Sequence, residues 1–316
     1  MPLPLVLLDR SAVLLLGICT GTAIGLGFHG HSGSAASAAA MPTGVLRASG
    51  SAGQPPEIAT ALQCAAPAQR QLLHTLKSGG PVRVAVFGDS FGDGVAFGLQ
   101  QQLRRKAGYD VLKFSQAATG FTRYKRLNLE NKAREQLGAD PLDIAVVSFG
   151  ANDAQGIITD KGEYAPLMSP KWRDQIGTRL DRFVDLLRAH HAMVYWVGLP
   201  RMREAGLDGD VGAINQFYAQ HMAALDVPFI DTRPIASDAN GQYAAYLDDP
   251  ATGERTLVRA GDGIHMSMTG YKWITRSLSE RVRTYVEATR KIEDPQTAGT
   301  PAGTPARAPA GAAAGA

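Results

Sequence analysis

Five short apolar runs recur along the chain, at residues 82–87, 111–114, 144–149, 193–198 and 227–230, and stretches of helical composition separate them. The runs are rich in Val, Ile and Phe, as strands buried on both faces are. The intervening helices are expected at about 93–107, 125–136, 171–189 and 211–225, with a last helix from about 268 to 288. Strand alternating with helix predicts right-handed crossovers and a parallel sheet with helices on both faces. The expected fold is therefore α/β, a three-layer sandwich around a five-stranded parallel sheet. Such sheets place ligands just past the carboxyl ends of their strands, so function is sought in the residues that follow each run.

Those residues form a chemical set. Gly88-Asp89-Ser90 follows the first run, Thr119-Gly120 the second and Gly150-Ala151-Asn152-Asp153 the third, while Asp262-Gly263-Ile264-His265 comes late in the chain. A serine hydroxyl is a weak nucleophile at neutral pH and needs an adjacent base. Imidazole is suited to that task, which makes His265 the partner of Ser90. Asp262, three residues earlier, can fix the ring tautomer and offset the imidazolium charge. The oxyanion of acyl transfer needs preorganised donors. The backbone N–H groups of Ser90 and Gly120 and the amide of Asn152 are the candidates. Glycine at position 120 lets the backbone approach a substrate with no Cβ in the way.

The four blocks resemble those of the SGNH hydrolases, also called GDSL esterases. Gly88-Asp89-Ser90 is similar to the first block, Gly120 to the second, Gly150-Ala151-Asn152-Asp153 to the third (GxND), and Asp262 with His265 to the fifth (DxxH). Phe91 stands where the GDSL name has leucine, a position without a chemical task. The likeness spans roughly residues 82–286. It implies a flavodoxin-like five-stranded sandwich, Ser90 as nucleophile, His265 as base and Asp262 as its orienter. Residues 150–157, 196–203 and 262–271 further resemble a periplasmic SGNH group of unknown function, and some SGNH proteins of that kind accompany exopolysaccharide or cellulose synthesis.

Other polar groups carry weaker signals. Asp89 and Asp93 flank a Gly-rich turn, yet no Walker lysine follows and no carboxylate cluster completes a cation site. His29, His31, His190 and His191 lack metal-ligand spacing. No metal or organic cofactor is required by the proposed chemistry. Candidates for substrate contact are Asp89, Phe121, Arg123, Asp153, Trp172 and Arg201, with Arg203 beside the last. They come from two connections, residues 156–172 and 199–210, both expected to be irregular, and from the residues around the motifs. Tyr164, Trp172 and Phe121 together are a candidate aromatic platform for a sugar ring. Residues 231–259, with Tyr243 and Tyr246, are a polar connection expected to hold a short hairpin or insertion near the histidine loop.

Composition bounds the remaining choices. A net charge of +3 and a pI near 8.8, with no basic run, give no footprint for nucleic acid. Residues 11–28 carry no charge and follow Arg10, and small residues at 36–40 suit cleavage after Ala40. Residues 1–40 therefore read as a signal peptide or, the run being just long enough to span a bilayer, a retained signal anchor. Ile18 before Cys19 argues against a lipoprotein site, and removal of the leader would leave Cys64 without an internal partner. Residues 41–56 read as a flexible linker, 57–80 as a preliminary helix, 81–290 as the hydrolase domain and 291–316 as a disordered Ala/Pro/Gly tail. The expectation is a periplasmic protein that meets the membrane only through an uncleaved leader. Its expected partner is an acylated carbohydrate or polysaccharide, together with the machinery that makes such a polymer. An acyltransferase sharing the acyl-enzyme and a non-catalytic polysaccharide-assembly module are the alternatives.

Overall fold

The computed structural model describes residues 66–293. The leader, the linker and the C-terminal tail lie outside these residues, and the helix expected over 57–80 is described as α1, Ala66–Lys77.

The sheet contains β1 (Val82–Gly88), β2 (Tyr109–Lys113), β3 (Ile144–Ser148), β6 (Met193–Val197) and β7 (Phe229–Ile230). Its order is β2-β1-β3-β6-β7, and every pairing is parallel. This is the five-stranded doubly wound sheet that the alternating runs imply. Register follows the apolar pattern: Val84 of β1 lies opposite Ile144 of β3, and Val82 opposite Tyr109 of β2.

Alternate residues of each strand feed two cores. Val82, Val84 and Val86 pack with α1, α2 (Ser90–Gln102), α6 (Met268–Ile274) and α7 (Arg276–Glu293). Ala85 and Phe87 pack on the opposite face with α3 (Leu129–Leu137), α4 (Pro170–Ala189) and α5 (Ala205–Ala224). Both faces are thus covered, and each buried Val, Leu or Phe contributes about 1.5–3 kcal/mol relative to exposure.

Several boundaries differ from the sequence reading. α2 begins at Ser90 rather than Asp93, because Asp89 caps it by accepting from the N–H of Phe91 at 2.9 Å. It ends at Gln102, and a short 3-10 turn, Arg105–Ala107, precedes Gly108 at φ 84°. α5 begins at Ala205, where Glu204 accepts from the N–H groups of Gly206 and Leu207, so half of the expected 199–210 loop is helix. The other expected loop holds a small hairpin, β4 (Ile157–Ile158) with β5 (Tyr164–Ala165). The last helix is two helices. Thr275 separates α6 from α7 and turns its hydroxyl back onto the Tyr271 carbonyl at 2.7 Å, a bond that bends helices. The 231–259 connection contains the antiparallel hairpin β8 (Tyr246–Asp248) and β9 (Arg255–Leu257).

Candidate active site

Because the strands are parallel, the segments after β1, β2, β3 and β6 emerge at one edge of the sheet. Ser90 is the first residue of α2, separated from the end of β1 by Asp89 alone. The turn between them requires glycine at 88, since a Cβ there would overlap the Ser148 carbonyl and stand 2.8 Å from the Gly92 Cα. The helix N-terminus places its partial positive charge at the Ser90 side chain.

The Asp262-Gly263-Ile264-His265 segment folds onto itself. Asp262 Oδ1 accepts from the N–H groups of Ile264 at 2.8 Å and His265 at 2.9 Å, and Oδ2 lies 2.6 Å from His265 Nδ1. Gly263 sits at φ 79°, where a side chain would also collide with Arg203. With Nδ1–H donating to Asp262, Nε2 is left as an acceptor, and it lies 2.8 Å from Ser90 Oγ. Partial burial pushes the Asp262 carboxyl up, but the bond to His265 and the two backbone N–H groups outweigh it and hold the pKa at about 2. The three side chains thus form one relay, Asp262–His265–Ser90.

One residue of this arrangement escaped the sequence reading. Arg259 is 1% exposed and spends its guanidinium on main-chain carbonyls. Nη1 donates to Arg201 at 2.6 Å, Nη2 to Ile264 at 2.9 Å and Gly263 at 3.4 Å, and Nε to His265 at 3.3 Å. The charge also lies 4.7 Å from the Tyr243 ring centroid. Arg259 therefore ties the histidine loop to the exit of β6. Arg203 adds a second tie, Nη1 to the Gly261 carbonyl at 2.9 Å. The only signal in the sequence is an arginine directly after the apolar pair Leu257-Val258, six residues before His265.

Asn152 joins the other three blocks. Its Nδ2 donates to Asp89 Oδ2 at 3.1 Å and to the Thr119 carbonyl at 2.9 Å. Gly120, next to Thr119, packs so closely that a Cβ would stand 2.5 Å from Asp153 Oδ1 and 3.4 Å from the Asn152 Cβ. The backbone N–H groups of Ser90 and Gly120 donate to no other group among the described residues. Asp153 is wholly buried. Its Oδ1 accepts from the Thr122 N–H at 2.8 Å and hydroxyl at 2.9 Å, and its Oδ2 from the Tyr218 hydroxyl at 2.8 Å. Burial raises the Asp153 carboxyl above the usual range, against those hydrogen bonds. Burial likewise pushes Asp89 up to about 7, opposed by the Phe91 N–H and reinforced by the nearby Asp153.

Most of the residues expected to touch substrate are not placed to do so. Phe121 and Trp172 are fully buried. Phe121 packs edge-on within the core against Phe149, 5.1 Å between centroids, and Trp172 Nε1 donates to the Gln155 carbonyl at 2.9 Å. Of the proposed sugar platform only Tyr164, 65% exposed, faces solvent, so the platform is not assembled. Asp89 and Asp153 are buried supports beneath the Ser90 edge rather than substrate contacts. Arg201 pairs with Asp208 at 2.8 Å, and Arg123 donates to the Ala118 carbonyl at 3.0 Å. Asp93 pairs with Lys113 at 3.0 Å. Among the described residues no group of three or more His, Cys, Asp or Glu side chains is placed to hold a metal.

The chain is similar in structure to an aryl esterase from M. smegmatis, with 16% identity, a TM-score of 0.45, and coverage of 64% of this chain and 99% of that one. It is also similar to a GDSL-like lipase from Bacteroides thetaiotaomicron, at 16% identity, TM-score 0.44, 73% of this chain and 97% of that one. A third is Est24, a carbohydrate acetylesterase from Sinorhizobium meliloti, at 15% identity, TM-score 0.44, 64% of this chain and 98% of that one. No curated protein matches. The family described as "Protein of unknown function (DUF459)" matches residues 83–281, most of the described region and all four blocks around Ser90, and the chain belongs to that family.

Proposed function

We propose that the protein is an exported serine esterase that removes O-acyl groups, acetyl foremost, from a cell-envelope or secreted polysaccharide. The observation that carries this reading is the relay in which His265 bridges Asp262 at 2.6 Å and Ser90 at 2.8 Å.

Ser90 Oγ attacks the ester carbonyl while its proton passes to His265 Nε2. The imidazolium is offset by Asp262. The tetrahedral oxyanion is met by the Ser90 and Gly120 N–H groups and the Asn152 amide. Collapse of the intermediate expels the sugar alkoxide, which takes the proton from Nε2 and leaves an acyl group on Ser90. Water, deprotonated by the same nitrogen, then attacks the acyl-enzyme. The acid departs and the proton returns to Ser90.

Export and an envelope substrate rest on the uncharged segment 11–28 and on the motif resemblance. Incubation with a fluorophosphonate is expected to label wild-type protein at Ser90 and to leave Ser90→Ala unlabelled. Label elsewhere, or none, removes Ser90 from the chemistry. Fractionation of cells carrying tagged protein is expected to place it in the periplasm or on the periplasmic side of the inner membrane, and recovery of full-length protein from the cytosol overturns the envelope substrate.

A further inference from the structure

Away from the Ser90 relay, a cavity of about 340 Å³ lies between the Pro234–Ala236 turn and the β8–β9 hairpin. Pro234, Ile235 and the buried Trp273 line its apolar part, and Tyr246, Asp238, Asp248 and Arg255 bring aromatic and charged groups to it. Strand pairing sets this arrangement. Asp248 lies opposite Arg255, and Tyr246 is two residues from Asp248, so the three share one face of the hairpin. Arg255 lies 5.9 Å from the Tyr246 ring centroid. Leu247 points to the other face and packs against the main core, which fixes the hairpin to the domain.

Tyr246 is 47% exposed, an aromatic ring that contributes little to the core. It stands beside two carboxylates and a guanidinium. A pyranose ring presents apolar C–H faces and a perimeter of hydroxyls. An aromatic face matches the first, and carboxylate and guanidinium groups, which accept and donate in planar pairs, match the second. An apolar helix or a lipid surface would need a larger unbroken apolar patch, and a polyanion would be repelled by Asp238 and Asp248.

The cavity is connected to the relay through α6. Tyr271 packs edge-on against Phe91, the neighbour of Ser90, at 5.2 Å between centroids, and Trp273 of the same helix lines the cavity. In the other direction β9 leads through Arg259 into the His265 loop. We propose that this cavity is a glycan subsite, which holds a sugar unit of the acylated chain on the His265 side of the site. The inference rests on the carbohydrate-ester reading given above.

The test is a glycan array of plain and O-acetylated oligosaccharides, probed with wild-type protein, Ser90→Ala and Tyr246→Ala. Wild type and Ser90→Ala are expected to bind the same glycans. Tyr246→Ala is expected to bind them about tenfold more weakly or worse at an unchanged melting temperature. Should Tyr246→Ala melt lower, Arg255→Ala, on the same face, is expected to show the same loss. The subsite is overturned if wild type binds no glycan, or if both hairpin variants bind as well as wild type. Since Ser90→Ala reads binding without chemistry, that failure is separate from failure of the esterase reading, which is scored by the phosphonate label.

Discussion

Asn152 is bonded to Asp89 through its side-chain amide, Nδ2 to Oδ2 at 3.1 Å, while the other hydrogen of that amide goes to the Thr119 carbonyl at 2.9 Å. One side chain thereby joins the segments that follow β1, β2 and β3. Both amide hydrogens have partners, so an oxyanion beside Asn152 competes with Asp89 or Thr119 for one of them. Asn152→Ala is expected to lower kcat by about 10²–10³ with a modest change in KM, as for an oxyanion-hole donor. Steady-state kinetics on p-nitrophenyl acetate decide the point. A change confined to KM would make Asn152 a ground-state binding group.

Asp89 makes stability depend on pH. Burial holds its pKa at about 7 in the folded protein, against an ordinary value of 3.8. Between those two values the folded state keeps a proton that the unfolded chain has released. The Asp89 contribution is therefore full below about pH 4 and is lost as pH rises through 7, by up to roughly 4 kcal/mol. Asp89→Asn removes this titration. Urea unfolding at pH 5 and pH 8 is expected to show the stability of wild type relative to Asp89→Asn falling between the two. A gap that is constant or widens with pH contradicts the raised pKa.

Ser90 and His265 are expected to act as one unit. Ser90→Ala, His265→Ala and the double variant should be about equally inactive, with losses on the order of 10⁶ in kcat, the scale seen when a serine-protease relay is broken. Purified variants assayed side by side give the comparison. A double variant far worse than either single one would show the two side chains acting independently.

Arg259 is expected to position the histidine loop without touching substrate. Arg259→Met takes the guanidinium donors from the carbonyls of Arg201 and Ile264, while the His265 carbonyl keeps the Ala260 N–H at 2.9 Å, at a cost of about 1–3 kcal/mol. The melting temperature should drop by several degrees, and the rate of phosphonate labelling should fall with it. Arg259→Lys, which keeps one charged donor, should recover part of both. Labelling at the wild-type rate in Arg259→Met would free the loop from this tie.

The strands were legible because Val, Ile and Phe on consecutive residues admit few structures other than a doubly covered strand. Ser90 and Asn152 stood out because each sits in a short motif past such a run, and Asp262 and His265 because they form a DxxH pair ahead of the last helical stretch. What the sequence hid was context. Gly92 and Gly94 obscured the start of α2, since helix propensity disfavours glycine and the deciding term, the Asp89 cap, is a hydrogen bond. Gly206 and Gly209 hid the first turns of α5 in the same way. Phe121 and Trp172 read as surface aromatics because a 3-10 turn and a helix start resemble loops in one dimension, while tertiary packing buries both. Arg259 was invisible because its hydrogen bonds all go to main-chain carbonyls, which leave no trace in residue identity.

The Asp262–His265 bond closes over three residues, whereas Ser90 and His265 meet across most of the domain. As the chain emerges from the ribosome, the serine and its helix are completed long before any base exists. When the base does appear, it arrives already joined to its aspartate, on the loop directly ahead of α6. A growing or truncated chain that lacks this last part therefore carries an inert hydroxyl. The contact between Ser90 and His265 closes only when the C-terminal part of the domain has docked, so every incomplete copy of the molecule lacks the assembled relay.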